Sequence, residues 1–295
     1  MRKRSIFVFA CMLLLTSAAH ANHYADTYVV PVVGHVAGAN GTMWMTDVVI
    51  RNFRTTPLDV ELIIIESGFD TTDNVHPLVS ATVDGTVTVP ANGTVLLEDI
   101  MDGYRGRAGS SGSLIIGADF PFAVTSRTYN NSVPLGQTVP PTRDFLVDSF
   151  GDADNTAFAY VPGIVVNATT RTNVGFTAGS GASSGAPMVV EITIRNATGA
   201  VVGSRSISIP SGTFMHVQIP VGSMLQAGSA LDLGSADFRV VEGEGAVVPY
   251  ASIIDNATAV AGYVMGQFPD PVTTTATFGF RPPSIFRSLL DQISR

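Results

Sequence analysis

The chain has 295 residues, with 24 acidic and 16 basic side chains, a formal net charge of −8 and a single cysteine. An acidic chain without a basic cluster argues against nucleic acid, or an anionic membrane surface, as partner. One cysteine excludes an internal disulfide, so stability has to come from apolar cores.

The first residues read as an export signal. Arg2, Lys3 and Arg4 precede an apolar run from Ile6 to Leu15, and Ala19-His20-Ala21 supplies small residues at the cleavage site. Cleavage is expected after Ala21, with a periplasmic or extracellular destination. Cys11 loosely resembles a lipidation site, but Met12 to Leu15 continue the apolar run beyond it, whereas a lipidated cysteine ends that run. No stretch reaches the roughly 20 apolar residues of a membrane-spanning helix. Removal of residues 1–21 leaves 13 basic residues against 24 acidic ones, a net charge of −11, and neither cysteine nor lysine.

Beyond the signal, short runs rich in Val, Ile and Thr alternate with turn residues, the pattern of an all-β sandwich. Strands are expected near Tyr28–Val36, Trp44–Phe53, Leu58–Glu66, Gly85–Val89, Thr94–Asp99, Ser113–Ala118 and Phe122–Asn130. A second series follows at Ala159–Val166, Thr172–Thr177, Met188–Arg195, Val201–Ile209, Thr213–Ile219, Phe238–Glu242 and Val247–Asp255. About seven strands per series is the number an immunoglobulin-like sandwich requires.

The two series echo one another. Met45-Thr-Asp-Val48 is matched by Arg171-Thr-Asn-Val174, Thr86-Val-Thr-Val-Pro90 by Ser206-Ile-Ser-Ile-Pro210, and the strand Val124 to Asn131 by Pro249 to Asn256. The offsets of 126, 120 and 125 residues describe two domain-sized units. The expected division is a first sandwich over 22–146, an acidic linker over 147–157, a second sandwich over 158–268 and a Pro-containing tail over 269–295. In the tail, Ile285, Leu289 and Ile293 have the spacing of a short amphipathic helix capped by Ser284. Within each unit, Val87 and Val89, or Ile207 and Ile209, should face the core while the intervening hydroxyls face solvent. Ile63-Ile64-Ile65 is apolar on both faces, as in a strand covered on both sides. Polar loops are expected from Ser67 to Asp84 and from Ala178 to Ala186.

Chemistry is sparse. Gly181-Ala-Ser183-Ser-Gly185 fits the hydrolase pattern G-x-S-x-G but lies in a small-residue loop before a strand, not in the strand–turn–helix elbow that exposes such a serine. His23, His35, His76 and His216 lack the spacing of a transition-metal site. Calcium is the better metal candidate: Asp148, Asp152, Asp154 and Asn155 could offer hard oxygens from one loop, with Asp70, Asp73 and Asn74 as a second cluster. Neither follows an EF-hand register, and a solvated acidic linker is the simpler reading of the first. Trp44, the sole tryptophan, either stacks on a sugar ring or fills a gap at the sandwich edge. Arg127 and Tyr129 alternate on one face of a strand, as a ligand platform or as partners of an acidic neighbour. Asn-x-Ser/Thr sequences at Asn40, Asn92, Asn130, Asn167, Asn196 and Asn256 double as ordinary turn sequences.

The blocks Val33 to Asn52, Ser126-Arg-Thr-Tyr-Asn130 and Tyr250-Ala-Ser-Ile-Ile-Asp-Asn256 resemble tandem β-sandwich repeats of bacterial secreted and surface proteins, over roughly Tyr28 to Gln267. The resemblance implies immunoglobulin-like units that often accompany exported enzymes or surface proteins, and it brings no catalytic motif. No catalytic residue and no cofactor other than calcium is expected. The expected function is an exported, non-enzymatic module for adhesion, scaffolding or protein interaction at the cell surface. The alternatives are a carbohydrate-binding module, possibly calcium-dependent, that recognises a polysaccharide, and a hydrolase of unrecognised type.

Overall fold

The computed structural model describes residues 25–38, 41–67, 83–130, 133–138, 146–148, 158–180, 185–243 and 245–267. The expected signal peptide, the acidic cluster of Asp70, Asp73 and Asn74, the linker residues Asp152, Asp154 and Asn155, Ser183 and the C-terminal tail lie outside the described residues.

The chain is built from antiparallel strands, as the alternating pattern requires. Strands β1 (Ala25–Ala37), β2 (Met43–Arg51), β3 (Leu58–Glu66), β4 (Val83–Val89), β5 (Thr94–Leu97), β6 (Ser110–Asn130) and β7 (Val133–Thr138) form one sheet. Its order is β4-β3-β6-β1-β2-β5, with β7 beside β6 and a further pairing between β6 and β2. The sheet folds over on β6. The first half of β6 pairs with β3 and β1, and its second half with β2 and β7. Two strands were expected here, and the structure has one continuous strand with an exposed corner at Asp119, Phe120 and Pro121. Extended backbone suits proline's fixed φ, so the strand bends between layers without breaking. Phe122, just past the corner, is buried and meets Tyr28 edge-on at 5.2 Å, and the Tyr28 hydroxyl donates to the Phe122 carbonyl at 2.9 Å. Val30, Leu62, Ile64, Leu114 and Ile116 from one end of the sheet then share a core with Val48, Ile50, Leu97 and Val124 from the other.

The remaining strands are β8 (Leu146–Asp148), β9 (Ala159–Val166), β10 (Thr170–Ser180), β11 (Met188–Asn196), β12 (Val201–Ile209), β13 (Phe214–Pro220), β14 (Leu231–Glu242), β15 (Gly245–Asp255) and β16 (Ala261–Met265). One sheet runs β13-β10-β15-β16 with β8 on β15, and the other β12-β11-β14-β9. Their shared core includes Val174, Val190, Ile192, Ile207 and Ile209, with Phe176 edge-on to Phe238 at 6.3 Å. The order β4-β3-β6-β1 has its counterpart in β12-β11-β14-β9, and β5-β2-β6-β7 in β13-β10-β15-β16. The echoed Thr46 and Thr172 also do the same work. Gly34 N–H donates to the Thr46 hydroxyl at 3.1 Å; Thr172 donates to the Val165 carbonyl at 2.6 Å and accepts from Val165 N–H at 3.3 Å. Each ties a second strand to the first of its series.

Alternation behaves as the sequence implies: Val89, Ile207 and Ile209 are buried, and Thr86, Thr88, Ser206 and Ser208 are exposed. Pro90 and Pro210 close turns in which their carbonyls accept from Gly93 and Thr213 N–H. The short strands β7, β8 and β16 were not anticipated, because runs such as Ala-Gly-Tyr-Val-Met carry almost no alternation. Asp148, expected in the linker, lies in β8, where it pairs with Gly245 of β15.

The isoleucine run has a tertiary explanation. Ile64 enters the first core, whereas Ile63 and Ile65 point outward with Val29 and Ile115. That outward patch is covered by Phe214, Ala246 and Val248 from β13 and β15, all at most 2% exposed. The surface they come from is the face of β13-β10-β15 opposite the second core. Two glycines flatten it. A Cβ at Gly175 would lie 2.6 Å from the end of the Tyr250 ring and 2.5 Å from the Val217 carbonyl, and one at Gly179 would lie 2.8 Å from the Phe214 ring. Gly175→Ala therefore forces Tyr250 out of place. Urea unfolding should show a loss of about 1–3 kcal/mol, as for other overpacked sites, despite the small gain from restricting the unfolded chain.

Candidate functional site

Where the apolar contact between the two halves ends, a cleft of about 510 Å³ opens. Clefts of roughly 300–1,000 Å³ are the usual size of small-ligand sites. One wall comes from β1 and the start of β6, through Val33, Val36, Gly38, Ser110 and Ser111, with Trp44 of β2 beside them. The other comes from Arg171 and Asn173 of β10, Gln218 of β13, Ser252 of β15 and Tyr263 of β16. These polar residues sit there because of strand parity: Val174, Phe176, Val217, Ile219 and Ala251 face the second core, so their sequence neighbours face the first half. Among the described residues the lining contains one formal charge, Arg171, and no carboxylate.

Several of these groups are held in place. Arg171 donates to the Asn256 side-chain oxygen at 2.6 Å, and Asn256 in turn donates to the Ala168 carbonyl at 3.3 Å. Gln218 donates to the Ser252 hydroxyl at 3.3 Å. Trp44 is half-buried, with its indole against Gly38, where a Cβ would lie 2.4 Å from Nε1. Tyr263 is half-exposed as a residue, yet the surrounding protein desolvates its phenol and raises its pKa, against the lowering effect of a hydrogen bond with Thr128. Asn130 donates to the Ala259 carbonyl at 3.0 Å, tying the end of β6 to the β15–β16 turn at the cleft's edge.

Behind the cleft lies a buried polar cluster. His216 Nε2 pairs with the Tyr250 hydroxyl at 2.9 Å, the two rings stack at 5.8 Å, and His216 Nδ1 pairs with the Ser67 hydroxyl at the cleft wall. A serine on a histidine suggests a nucleophile and its base. The imidazole, however, is fully buried, and desolvation lowers its pKa to about 3, against a smaller raising effect from the Pro31 carbonyl. Its other partner is a phenol whose own pKa burial drives well above the ordinary value, so no carboxylate stands ready to stabilise an imidazolium. The cluster joins the halves as neutral hydrogen-bonded groups.

Of the residues singled out from sequence, Trp44 lines the cleft. Arg127 and Tyr129 do not. Arg127 donates to Asp47 Oδ2 at 2.6 Å and lies over the Tyr129 ring at 4.6 Å, while Tyr129 donates to Asp47 Oδ1 at 3.2 Å. Burial raises the Tyr129 phenol first, and the Asp47 charge adds to it. Both side chains are thus engaged with an acidic neighbour. Among the described residues, the group with metal-ligand chemistry is His35, Asp99 and Asp102, whose ligand atoms lie within 4.8 Å of one another. His35 Nδ1 is already bonded to Asp99 Oδ2 at 2.7 Å. No spacing in the sequence marks this trio, whose members run from position 35 to position 102.

The turn reading of the Asn-Ala-Thr sequences is visible in the structure. Asn167 accepts from Thr169 and Thr170 N–H, and Asn196 from Thr198 and Ala200 N–H, at 3.0–3.1 Å. Among the described residues no helix is long and apolar enough to cross a membrane.

No protein-family model matches this chain, and no curated protein matches it. Among solved structures it is similar to a chain of the T13 IBDV viral particle, at 9% identity over 91% of this chain and 80% of that one, with a TM-score of 0.20. It is also similar to a beta-glucuronidase from glycoside hydrolase family 2, at 12% identity over 78% of this chain and 24% of that one, with a TM-score of 0.17. Likenesses at these scores carry no conclusion about function.

The histidine supplies a pH test. In the unfolded chain it takes a proton below about pH 6.5, and in the folded chain only near 3. Its contribution to stability is therefore complete above pH 6.5 and is lost as pH falls from there towards 3. Between pH 7.5 and 5.5, where carboxylates hardly titrate, urea unfolding should show a loss of roughly 1.4 kcal/mol. The His216→Gln variant should be less stable at pH 7.5 and lack that slope.

Proposed function

We propose that this chain is an exported, non-enzymatic binding protein of two tandem immunoglobulin-like sandwich units, acting in adhesion or partner recognition at the cell surface. The observation that carries this reading is the cleft between the units. Its lining is a tryptophan, a tyrosine, an arginine, and amide and hydroxyl groups, which can orient a ligand. Among the described residues no acid–base pair lies in it, and the serine–histidine contact at its wall uses an imidazole that desolvation keeps neutral.

Within this reading a carbohydrate is the favoured ligand over a protein surface. A concave site with an aromatic plane beside amides and hydroxyls suits sugar rings, which offer an apolar face and a rim of hydroxyls. The resemblance to secreted sandwich repeats and the N-terminal export pattern support the compartment.

The test is retention against turnover. Purified protein should be retained by one class of cell-surface polysaccharide on a glycan array, and Trp44→Ala should reduce that retention by about tenfold. It should release no product from ester or glycoside substrates. Hydrolysis that disappears in Ser67→Ala would overturn the non-enzymatic reading. Retention by a protein extract, with no response on the array, would move the partner from glycan to protein.

A further inference from the structure

Arg171 differs from the ion-paired arginines among the described residues. Arg107 pairs with Glu66 at 2.6 Å, Arg127 with Asp47 at 2.6 Å and Arg195 with Asp237 at 2.7 Å. Arg51, Arg54 and Arg239 lie over the rings of Phe53, Phe120 and Phe158. Arg171 instead donates to a neutral amide oxygen, that of Asn256, and among the described residues it has no carboxylate beside it. Among the described residues it is the one charged group lining the cleft, in a chain that carries 24 acidic residues and 16 basic ones.

A guanidinium has five donors in a fixed plane. The Asn256 contact fixes the orientation of that plane without neutralising it and leaves donors for a ligand. A carboxylate at this position would form charge-assisted, commonly bidentate hydrogen bonds, which are stronger than neutral ones. The same wall carries Asn173, Gln218 and Ser252, neutral groups suited to hydroxyls, and Trp44 offers an indole.

We infer that the cleft takes an acidic saccharide, a chain of uronic acid units, with a ring carboxylate on Arg171, hydroxyls on Asn173, Gln218 and Ser252, and a sugar ring against Trp44. This deepens the binding reading above and rests on it. The net negative charge of the chain is compatible with such a ligand because recognition is local: among the described residues no carboxylate of the lining opposes the bound one.

Trp44 is the sole tryptophan, so intrinsic fluorescence reports on the cleft directly. The experiment titrates the full chain with an oligogalacturonate, with the same oligosaccharide methyl-esterified, and with poly-glutamate. The acid form should shift Trp44 emission and saturate, and the esterified form should bind about 10- to 100-fold more weakly, as expected when a charged hydrogen-bond partner is lost. Arg171→Gln should remove that difference while leaving the thermal unfolding midpoint unchanged. Asn173→Ala, away from the guanidinium, should weaken both forms alike. Equal binding of acid and ester, unaffected by Arg171→Gln, overturns the acidic assignment and leaves a neutral-glycan site standing. Binding of poly-glutamate as tight as that of the uronate overturns the saccharide assignment. No response to any of the three overturns the proposal, and a glycan array positive in that case would keep the binding reading with a different ligand.

Discussion

The structure depends on one apolar contact, the patch of Val29, Ile63, Ile65 and Ile115 covered by Phe214, Ala246 and Val248. Each half has its own core, and that contact, together with Tyr250 reaching from the second half into the first core, makes them a single body. Its composition is that of a protein interior, with large branched and aromatic side chains almost completely withdrawn from water. Burial of a side chain of that size contributes about 1.5–3 kcal/mol. A chain without disulfides depends on such terms, and here they act between halves as well as within them.

Polar groups at the margin give the contact its alignment. His216, Tyr250 and Ser67 satisfy one another in a buried position, and Asn130 reaches the turn after β15. Such bonds add little net stability, because water offers equivalents to the separated surfaces. They penalise misalignment strongly, because a shifted interface would leave a buried imidazole or phenol unpaired. The glycines at 175 and 179 serve the same end by steric means, since each removes a Cβ that would meet a ring. The cleft inherits its geometry from this alignment. Its two walls belong to different halves, and only the docked arrangement faces Trp44 and Ser110 towards Arg171, Gln218 and Ser252.

The echoed positions illustrate how surroundings choose chemistry. Asp47 and Arg127 are opposite one another on β2 and β6, and the residues at the corresponding offsets, Asn173 and Ser252, are opposite one another on β10 and β15. In the first half the pair is charged, and the arginine remains 47% exposed, so much of its hydration is kept. In the second half the pair lines the cleft next to the apolar contact. Neutral amide and hydroxyl groups occupy the site instead.

Strands were legible from the sequence because their cause is local: a period-2 pattern of branched residues, closed by Pro90-Ala-Asn-Gly93 or Pro210-Ser-Gly212, works the same way in isolation. The corner of β6, the edge strands β7, β8 and β16, and the pairing of Asp148 with Gly245 were not, since each depends on a neighbour distant in sequence. Of the cleft, only Trp44 could be singled out, through its rarity. Arg171, Asn173, Gln218 and Ser252 look like ordinary solvent-facing residues of strands, because alternation reports which face a side chain occupies and says nothing of what covers that face. The sequence by itself determined an all-β chain with two runs of strands, their buried faces and their turns. Tertiary structure alone decided that Ile63 and Ile65 meet Phe214 and Val248, that His216 is buried, and that a cleft forms between the halves, because docking joins surfaces more than a hundred residues apart.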